Sequence, residues 1–208
     1  MKIVHADAHI VVVDKPGGLL AVPGRGPEKQ DCVESRLRRR FVDMPRQPAV
    51  HRLDMATSGL MVLARTPDAH RNLSMQFAER NIDKEYVALL DGRLSRSSGR
   101  IELKFRLDTG RRPYQIYDPG RGKLGITLWW KIGEEAAGTR VLFKPLTGRT
   151  HQLRLHAAHD LGLGCPIQGD ALYGRGRQGE RMMLHASSLT LVHPYSGIRR
   201  TFTAAIPF

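Results

Sequence analysis

Short strand-like segments recur along this chain, and helical patterns separate only some of them. The clearest are the apolar runs of residues 10–13 and 59–64, each bounded by turn-forming residues. Because strands and helices mix without strict alternation, the pattern predicts an α+β fold, a single domain on a mixed, largely antiparallel sheet flanked by helices. Further strands are expected near residues 3–4, 86–90, 101–107, 125–132, 140–143, 184–192 and 200–204.

Three segments carry helix signals. Residues 31–41 form a helical pattern with arginines at positions 36 and 38–40. The sequence Thr66-Pro67-Asp68 supplies a hydroxyl cap, a proline at the first helical position and an acid in the first turn, which predicts a helix to about residue 79. A third helix is predicted over residues 151–158, capped by Thr150 and ended near Gly162.

Length and composition exclude several classes of protein. A chain of 208 residues, 41% of them hydrophobic, can bury a core, so one ordered domain is expected. Two cysteines, Cys32 and Cys165, cannot build a disulfide scaffold or a cysteine-based zinc site, and they suit a reducing cytosol. No apolar run approaches the roughly 18 residues that a membrane span needs. The first residues, which include Asp7, lack the long apolar stretch of a signal peptide.

The charge balance indicates a polyanionic partner. Lys and Arg number 33 against 20 Asp and Glu, which gives a formal net charge of +13, and 25 of the basic residues are Arg. Arginine binds phosphate through a planar fork and stacks on bases, which favours nucleic acid as the partner. A genome biased towards Arg codons would explain the preference for Arg over Lys, but not the surplus of bases over acids.

The segment 51–59 (HRLDMATSG) concentrates ionisable residues directly before a core-type strand. Thr57 and Ser58 can bond the local backbone and Gly59 allows a sharp turn, so we expect Asp54 on a rigid loop. The residues alone leave two interpretations of Asp54 open, a reactive carboxylate or a turn cap that pairs with a cation. A kinase catalytic loop is excluded, because the glycine-rich loop and the DFG motif are missing.

Two later segments place polar residues in buried-type elements. Tyr86 lies in a predicted strand, where a tyrosine usually packs in the core. The segment 146–156 (LTGRTHQLRLH) enters a helix through a glycine-containing turn, which is a natural anion site. Its two histidines and His159 lack the spacing of a metal site, so no metal is expected.

These segments, in this order, resemble the RluA-type pseudouridine synthases. The matching residues are Asp14-Lys15-Pro16 with Gly18-Leu19, HRLDMATSG at 51–59, Lys84 with Tyr86-Val87-Ala88, TGRTHQLRLH at 147–156, Pro166-Ile167 with Gly169-Asp170 and Tyr173, and Leu184-His185-Ala186. The pair HRLDxxTSG and GRTHQLRxH is highly specific, and the resemblance runs from about residue 10 to the C-terminus. It implies the pseudouridine synthase fold over residues 1–208, as one catalytic domain without an S4 RNA-binding domain.

The chain is most similar to the synthase A branch, on the strength of its shortness and its Val22-Pro23-Gly24-Arg25 loop. That branch modifies loop uridines in large-subunit ribosomal RNA and in tRNA. Pseudouridine formation breaks the N1–C1′ bond, turns the uracil and joins C5 to C1′. Nothing is oxidised and no group is imported, so no cofactor is expected.

The resemblance also implies residue roles. Asp54 is the expected nucleophile, Arg154 its permanent counter-charge, and Tyr86 a ring that stacks on the uracil or moves a proton. Flipping a base out of folded RNA costs a few kcal/mol, and a guanidinium suits the vacated space. The expected substrate-binding residues are Arg52, which fills that space, Leu153, which packs near the base, and Lys15, Arg25, His51, Arg149 and His151.

Two other functions compete with this interpretation. An inactive RNA-binding or ribosome-assembly factor on the same fold would not need all three of Asp54, Tyr86 and Arg154 to be filled. A metal-free nuclease would use His51 or His151, but no paired histidines at a recognisable spacing support it. We expect a cytoplasmic, monomeric enzyme whose partner is structured RNA (rRNA, tRNA or both) and which does not bind a membrane.

Overall fold

The computed structural model describes residues 1–136 and 138–208, and these residues form ten strands and three α-helices. The elements are β1 (Lys2–Ala6), β2 (Ile10–Lys15), α1 (Val33–Arg40), β3 (Ser58–Ala64), α2 (Pro67–Ala78), β4 (Asp83–Leu90), β5 (Ser98–Leu107), β6 (Gln115–Tyr117), β7 (Lys123–Glu135), β8 (Gly138–Pro145), α3 (Gln152–Ala158), β9 (Leu184–Val192) and β10 (Arg199–Thr203). The chain divides into two compact units, Met1–Lys84 with His185–Pro207 and Glu85–Leu184 with Phe208.

The first unit is built on a mixed sheet in the order β1-β2-β3-β9, with β10 paired to β9. All of these pairs are antiparallel except β3 with β9, which run parallel through Ser58–His185 and Gly59–Ala186. The four residues of the run 10–13 are fully buried, which explains their unbroken apolar character. Leu73 of α2 packs into the same cluster as Val12, Leu60 and Leu191, so this core anchors the start of β3.

The second unit is an antiparallel sheet in the order β4-β8-β7-β5-β6. Alternation along β5 buries Ile101, Leu103 and Phe105 and exposes the residues between them. The helix α3 packs on β7, and six of its seven residues are buried. A functional segment on α3 is therefore held inside this unit rather than displayed on its surface.

The helix signals are confirmed except at the two ends of α3. This helix stops at Ala158 with His159 as its C-cap, because the extended backbone of His159 breaks the helix before Gly162 is reached. Thr66 caps α2 by accepting from the Ala69 N–H over 3.2 Å, as the Thr66-Pro67-Asp68 pattern predicts. The predicted cap of α3 is wrong: His151, not Thr150, occupies the N-cap, in the left-handed conformation at φ 56°. A threonine is β-branched and disfavours the tight turn that a left-handed residue makes here.

The predicted fold class is confirmed, because the structure is α+β with a mixed, largely antiparallel arrangement of strands and few helices. Every predicted strand is present. The short strand β6 was not predicted, since its three residues carry no detectable alternation. That residues 1–208 act as one domain stays a prediction.

Candidate active site

Asp54 lies in a tight loop between the buried Leu53 and the start of β3. The Thr57 N–H donates to the Asp54 carbonyl over 3.1 Å and closes this loop into a turn. Asp54 itself is half-buried, and Arg52 on the same loop is exposed. The loop therefore presents a carboxylate and a guanidinium from a short, closed stretch of backbone in the first unit.

The Thr-Ser-Gly part of the motif attaches this loop to the sheet. Ser58 Oγ lies 2.9 Å from His185 Nδ1 on β9. Gly59 has φ +111°, and a Cβ at this position would lie 2.3 Å from the Ala186 carbonyl oxygen. Only glycine permits so close an approach of two backbones in that conformation. The motif thus fixes the strand that begins four residues after Asp54.

Lys15 is buried, contrary to the prediction that it binds RNA phosphate. Its side chain is 0% exposed, and its Nζ donates to the carbonyls of Pro16, Leu19 and Met55 at 3.0, 2.8 and 3.0 Å. An ammonium has three N–H donors, and all three are used here. The phosphate role of Lys15 is therefore wrong, because no donor is left to reach RNA.

Lys15 instead couples a neighbouring turn to the Asp54 loop. Its bond to Met55 holds the residue directly after Asp54, and the Gly18 N–H donates to the same carbonyl over 2.8 Å. Burial lowers the pKa of Lys15 to about 8, and attraction to the Asp54 carboxylate opposes that shift. Sequence reasoning missed this cation because a lysine in a turn signal is usually solvated.

His51 supports the protein backbone through its Nε2 atom. Its Nε2 accepts the Val62 N–H over 3.0 Å, and its ring stacks on Phe77 with centroids 4.5 Å apart. Burial and the charge of Lys84 lower the pKa of His51 to about 3, so the imidazole is neutral. This contradicts a substrate contact through Nε2, and it removes His51 as the base of a nuclease.

Among the described residues, the exposed arginines differ in whether a carboxylate pairs with them. Arg36 is held by Asp31 through Nε and Nη2 at 2.8 and 2.6 Å, so its charge is largely neutralised. Arg38, Arg39 and Arg40 form the exposed last turn of α1. Arg25 in the first unit and Arg149 in the second are also exposed, as a phosphate contact requires.

In the second unit, Tyr86 stands on β4 opposite Phe143 of β8. Tyr86 is half-buried, whereas the next four residues of the strand are buried. This position is where the strand leaves the core, so the ring is not confined to core packing. Leu153 on α3 is buried at 7% exposure, which suits an apolar wall.

The segment that leads into α3 is tied to β7 by one glutamine. Gln152 Nε2 donates to the Ile126 carbonyl and to Thr127 Oγ1, both at 2.9 Å. Gln152 Oε1 accepts from Thr147 Oγ1 at 2.6 Å and from the Arg149 N–H at 3.1 Å. These four bonds explain the Thr and Gln of the Thr-Gly-Arg-Thr-His-Gln motif as parts that shape the turn before Arg154.

Arg154 is 5% exposed and forms an ion pair with the buried carboxylate of Asp170, a residue to which the sequence analysis assigned no role. Its Nε and Nη2 donate to the two oxygens of Asp170 at 2.8 and 2.7 Å. Although burial raises the pKa of Asp170, its bonds with Arg154 and with the N–H groups of Leu172 and Tyr173 hold that pKa below its usual value. The Gly-Asp-x-x-Tyr signal was visible in the sequence, but not its partner.

His156, two residues after Arg154, is fully buried, and neither of its ring nitrogens has a hydrogen-bond partner among the described residues. Its ring meets Phe105 edge to face, with centroids 5.7 Å apart. Burial and the charge of His159 lower the pKa of His156 to about 4. The folded protein therefore keeps this histidine neutral under conditions in which the unfolded chain protonates it.

This histidine predicts a loss of stability in mild acid. Because the pKa is near 6.5 when unfolded and about 4 when folded, its contribution is complete above pH 6.5 and falls as the pH drops towards 4. We expect His156 to cost about 2 kcal/mol of unfolding free energy between pH 7 and pH 5. Urea unfolding at both pH values should show that the H156F variant loses less stability than the wild type; an equal loss would contradict the prediction.

The described residues contain neither a metal-binding cluster nor a membrane-spanning helix. Within residues 1–136 and 138–208, no group of three or more His, Cys, Asp or Glu side chains is arranged to hold a metal ion. Among the same residues, no helix combines the length and apolar character needed to cross a bilayer.

Comparison with known proteins gives a consistent result. Residues 9–159 match the model of the family described as RNA pseudouridylate synthase. A dual-specificity RNA pseudouridine synthase RluA of Escherichia coli (strain K12) is 44% identical over 212 residues, which cover 100% of this chain and 94% of that protein. The protein of the same name from Yersinia pestis is 42% identical, and the match covers 100% of both chains.

Solved structures show the same fold. Human RNA pseudouridylate synthase domain containing 1 superposes with a TM-score of 0.79 at 31% identity, over 100% of this chain and 84% of that one. Human RNA pseudouridylate synthase domain containing 4 gives a TM-score of 0.78 at 25% identity, over 99% and 88%.

Proposed function

Because this chain belongs to the RNA pseudouridylate synthase family, whose members isomerise uridine in RNA to pseudouridine, we propose that Asp54 is its nucleophile. The main support is that Asp54 stands on a closed, anchored loop beside the buried ammonium of Lys15. A carboxylate is mostly ionised at neutral pH and can form a reversible adduct with an electrophilic carbon. The neighbouring ammonium of Lys15 attracts the Asp54 carboxylate and helps to hold it in place.

Beyond a nucleophile, the reaction requires few other groups from the protein. The N1–C1′ bond breaks, the detached uracil turns, and C5 bonds to C1′. The proton on C5 leaves to a base, and N1 takes up a proton in its place. The electrons balance within the substrate, so the site must hold an anion, accept one proton and keep the free base from escaping. Asp54 supplies the anion whether it engages C1′ or the uracil ring.

For Tyr86 and Arg154 we propose the roles that the family pattern gives them. The Tyr86 ring stacks on the uracil. Tyr86 is half-buried and lies directly before the four buried residues of β4, which supports that role. Arg154 supplies a permanent positive charge, since a guanidinium does not lose its proton in a protein. Leu153 supplies an apolar contact to the base.

The exposed arginines are proposed to bind the RNA. Arg52 fills the space left by the flipped base, and Arg25, Arg149 and the last turn of α1 contact phosphates. Their exposure supports this role, and a guanidinium can stack on bases as well as bind phosphate. For His151 we propose only that it shapes the turn near the bound RNA, because its Nδ1 already forms a hydrogen bond with the Tyr173 hydroxyl at 2.9 Å.

Salt dependence tests this surface. If about six phosphates are contacted, the logarithm of RNA affinity falls with the logarithm of salt concentration at a slope near −4. Replacing Arg38, Arg39 and Arg40 with Gln should bring the slope to about −2 without changing the rate at saturating RNA. R36Q is the control on the same helix, because Asp31 already neutralises that residue. A triple variant with an unchanged slope would place the phosphates elsewhere.

We propose that the substrates are loop uridines in both large-subunit rRNA and tRNA, and that the enzyme is a cytoplasmic monomer. Relatives at 42–44% identity over the whole chain carry the name dual-specificity, which supports two RNA classes. Pseudouridine maps of RNA from a strain lacking this protein should lose sites in both classes and regain them with the wild-type gene. Loss in only one class would reject the dual substrate.

A further inference from the structure

We propose that Asp170 is a positioning residue that fixes the direction of the Arg154 guanidinium. The inference rests on the role proposed above for Arg154, and it extends that role to a residue with no part in the chemistry. The two side chains form a two-point pair, Nε to Oδ2 at 2.8 Å and Nη2 to Oδ1 at 2.7 Å. Two parallel bonds fix the plane of a guanidinium, which a single bond does not.

The carboxylate is itself held in place. Asp170 Oδ1 also accepts the N–H groups of Leu172 and Tyr173 at 2.8 and 3.1 Å. Gly169, directly before it, has φ +74°, and a Cβ there would lie 2.0 Å from the Arg181 carbonyl oxygen. The turn is therefore packed closely against the backbone at Arg181. A shift of the Asp170 carboxylate would break its hydrogen bonds with the Leu172 and Tyr173 N–H groups as well as the ion pair with Arg154.

A third contact lies on the face of the guanidinium. The Arg154 Cζ sits 5.3 Å from the centroid of the Tyr173 ring. The Tyr173 hydroxyl accepts the Gln115 N–H at 2.7 Å and meets His151 Nδ1 at 2.9 Å. Tyr173 is therefore anchored at the far end of its ring by Gln115 of β6 and by His151, the N-cap residue of α3. Edge and face of the guanidinium are both constrained within the second unit.

The buried Arg154–Asp170 pair can serve folding alone or can also position Arg154, and the two roles predict different effects of losing Asp170. If it serves folding alone, loss of Asp170 lowers stability and leaves the rate of the folded protein unchanged. If it serves positioning, loss of Asp170 lowers the rate of the folded protein, because a misplaced catalytic group is less effective even when it is present. RNA binding stays intact in the second case, since neither oxygen of Asp170 faces a solvent-exposed surface.

The test is a double-variant cycle of D170N and R154K, measured as the single-turnover rate at saturating RNA and as RNA affinity. We expect D170N to lower the rate by about 100-fold and to keep affinity within roughly threefold. In the R154K background, the same change should lower the rate by less than about threefold, because both residues act as one unit. The matched control is D118N, which breaks the Arg106–Asp118 pair in the same unit and should leave the rate unchanged.

The outcomes separate the inference from the role on which it rests. An R154K enzyme with the wild-type rate would reject the role of Arg154. An inactive R154K enzyme beside a D170N enzyme of normal rate would reject only the inference, as would losses that multiply in full. If D170N does not fold, the variants D170E and Y173F take its place. D170E keeps the negative charge but shifts its position, and Y173F removes the hydrogen bond between Tyr173 and the Gln115 N–H. Normal reaction rates in both variants would overturn the proposal.

Discussion

Asp54→Asn is expected to lower pseudouridine formation by at least about 10³-fold while RNA affinity stays within about tenfold. The amide has nearly the same size and can keep the closed turn, but it carries no negative charge and is a poor nucleophile. Single-turnover assays with saturating RNA measure the first effect, and equilibrium binding measures the second.

An aspartate elsewhere in the same unit provides the control for this change. Asp43 is exposed and pairs with Arg65 at 3.2 Å, so D43N removes the same charge without touching the Asp54 loop. We expect D43N to turn over at the wild-type rate. If D54N turned over normally, the nucleophile would have to be another residue.

Lys15→Met is expected to lower the free energy of unfolding by about 3 kcal/mol. The change keeps an unbranched apolar stem but leaves the carbonyls of Pro16, Leu19 and Met55 without their buried donor. It also removes the cation beside Asp54, so the reaction rate should fall even at temperatures where the variant is folded. Urea unfolding gives the stability, and single-turnover assays give the rate.

This variant also separates the buried role of Lys15 from the phosphate role that the sequence suggested. The salt slope of RNA affinity should match the wild type, because all three ammonium donors point into the protein. K29M is the control: Lys29 is an exposed lysine paired with Glu28, and its loss should change stability by less than about 0.5 kcal/mol. Normal stability of K15M with a shallower salt slope would restore the phosphate role.

The local patterns that could be predicted are those whose cause lies within a few residues. The buried run 10–13 and the Thr66 cap follow from period and cap chemistry, and the structure has them where expected. The Asp54 loop is present as well, but Gly59 lies inside β3 rather than in a turn, and Ser58 bonds His185 of β9 rather than the local backbone. The three-residue β6 had no such local signal. The left-handed His151 was also missed, because the bonds of Gln152 to β7 impose that turn from 25 residues away.

Charged residues were harder to place, because their environment depends on chain segments far apart in sequence. Lys15 and Met55 are 40 residues apart, and nothing near Lys15 reveals that its ammonium is enclosed. Arg154 and Asp170 are 16 residues apart, so the resemblance supplied both residues without their bond. His51 looks like a ligand in sequence, and only the stack on Phe77 and the bond from Val62 show its structural use.

The central claim is tested most directly by incubating the purified protein with large-subunit rRNA and tRNA transcripts that carry tritium at uridine C5. The account predicts tritium release in proportion to the pseudouridine formed, with full-length RNA recovered and with no release by the D54N variant. RNA binding without tritium release, or release accompanied by strand scission, would contradict it.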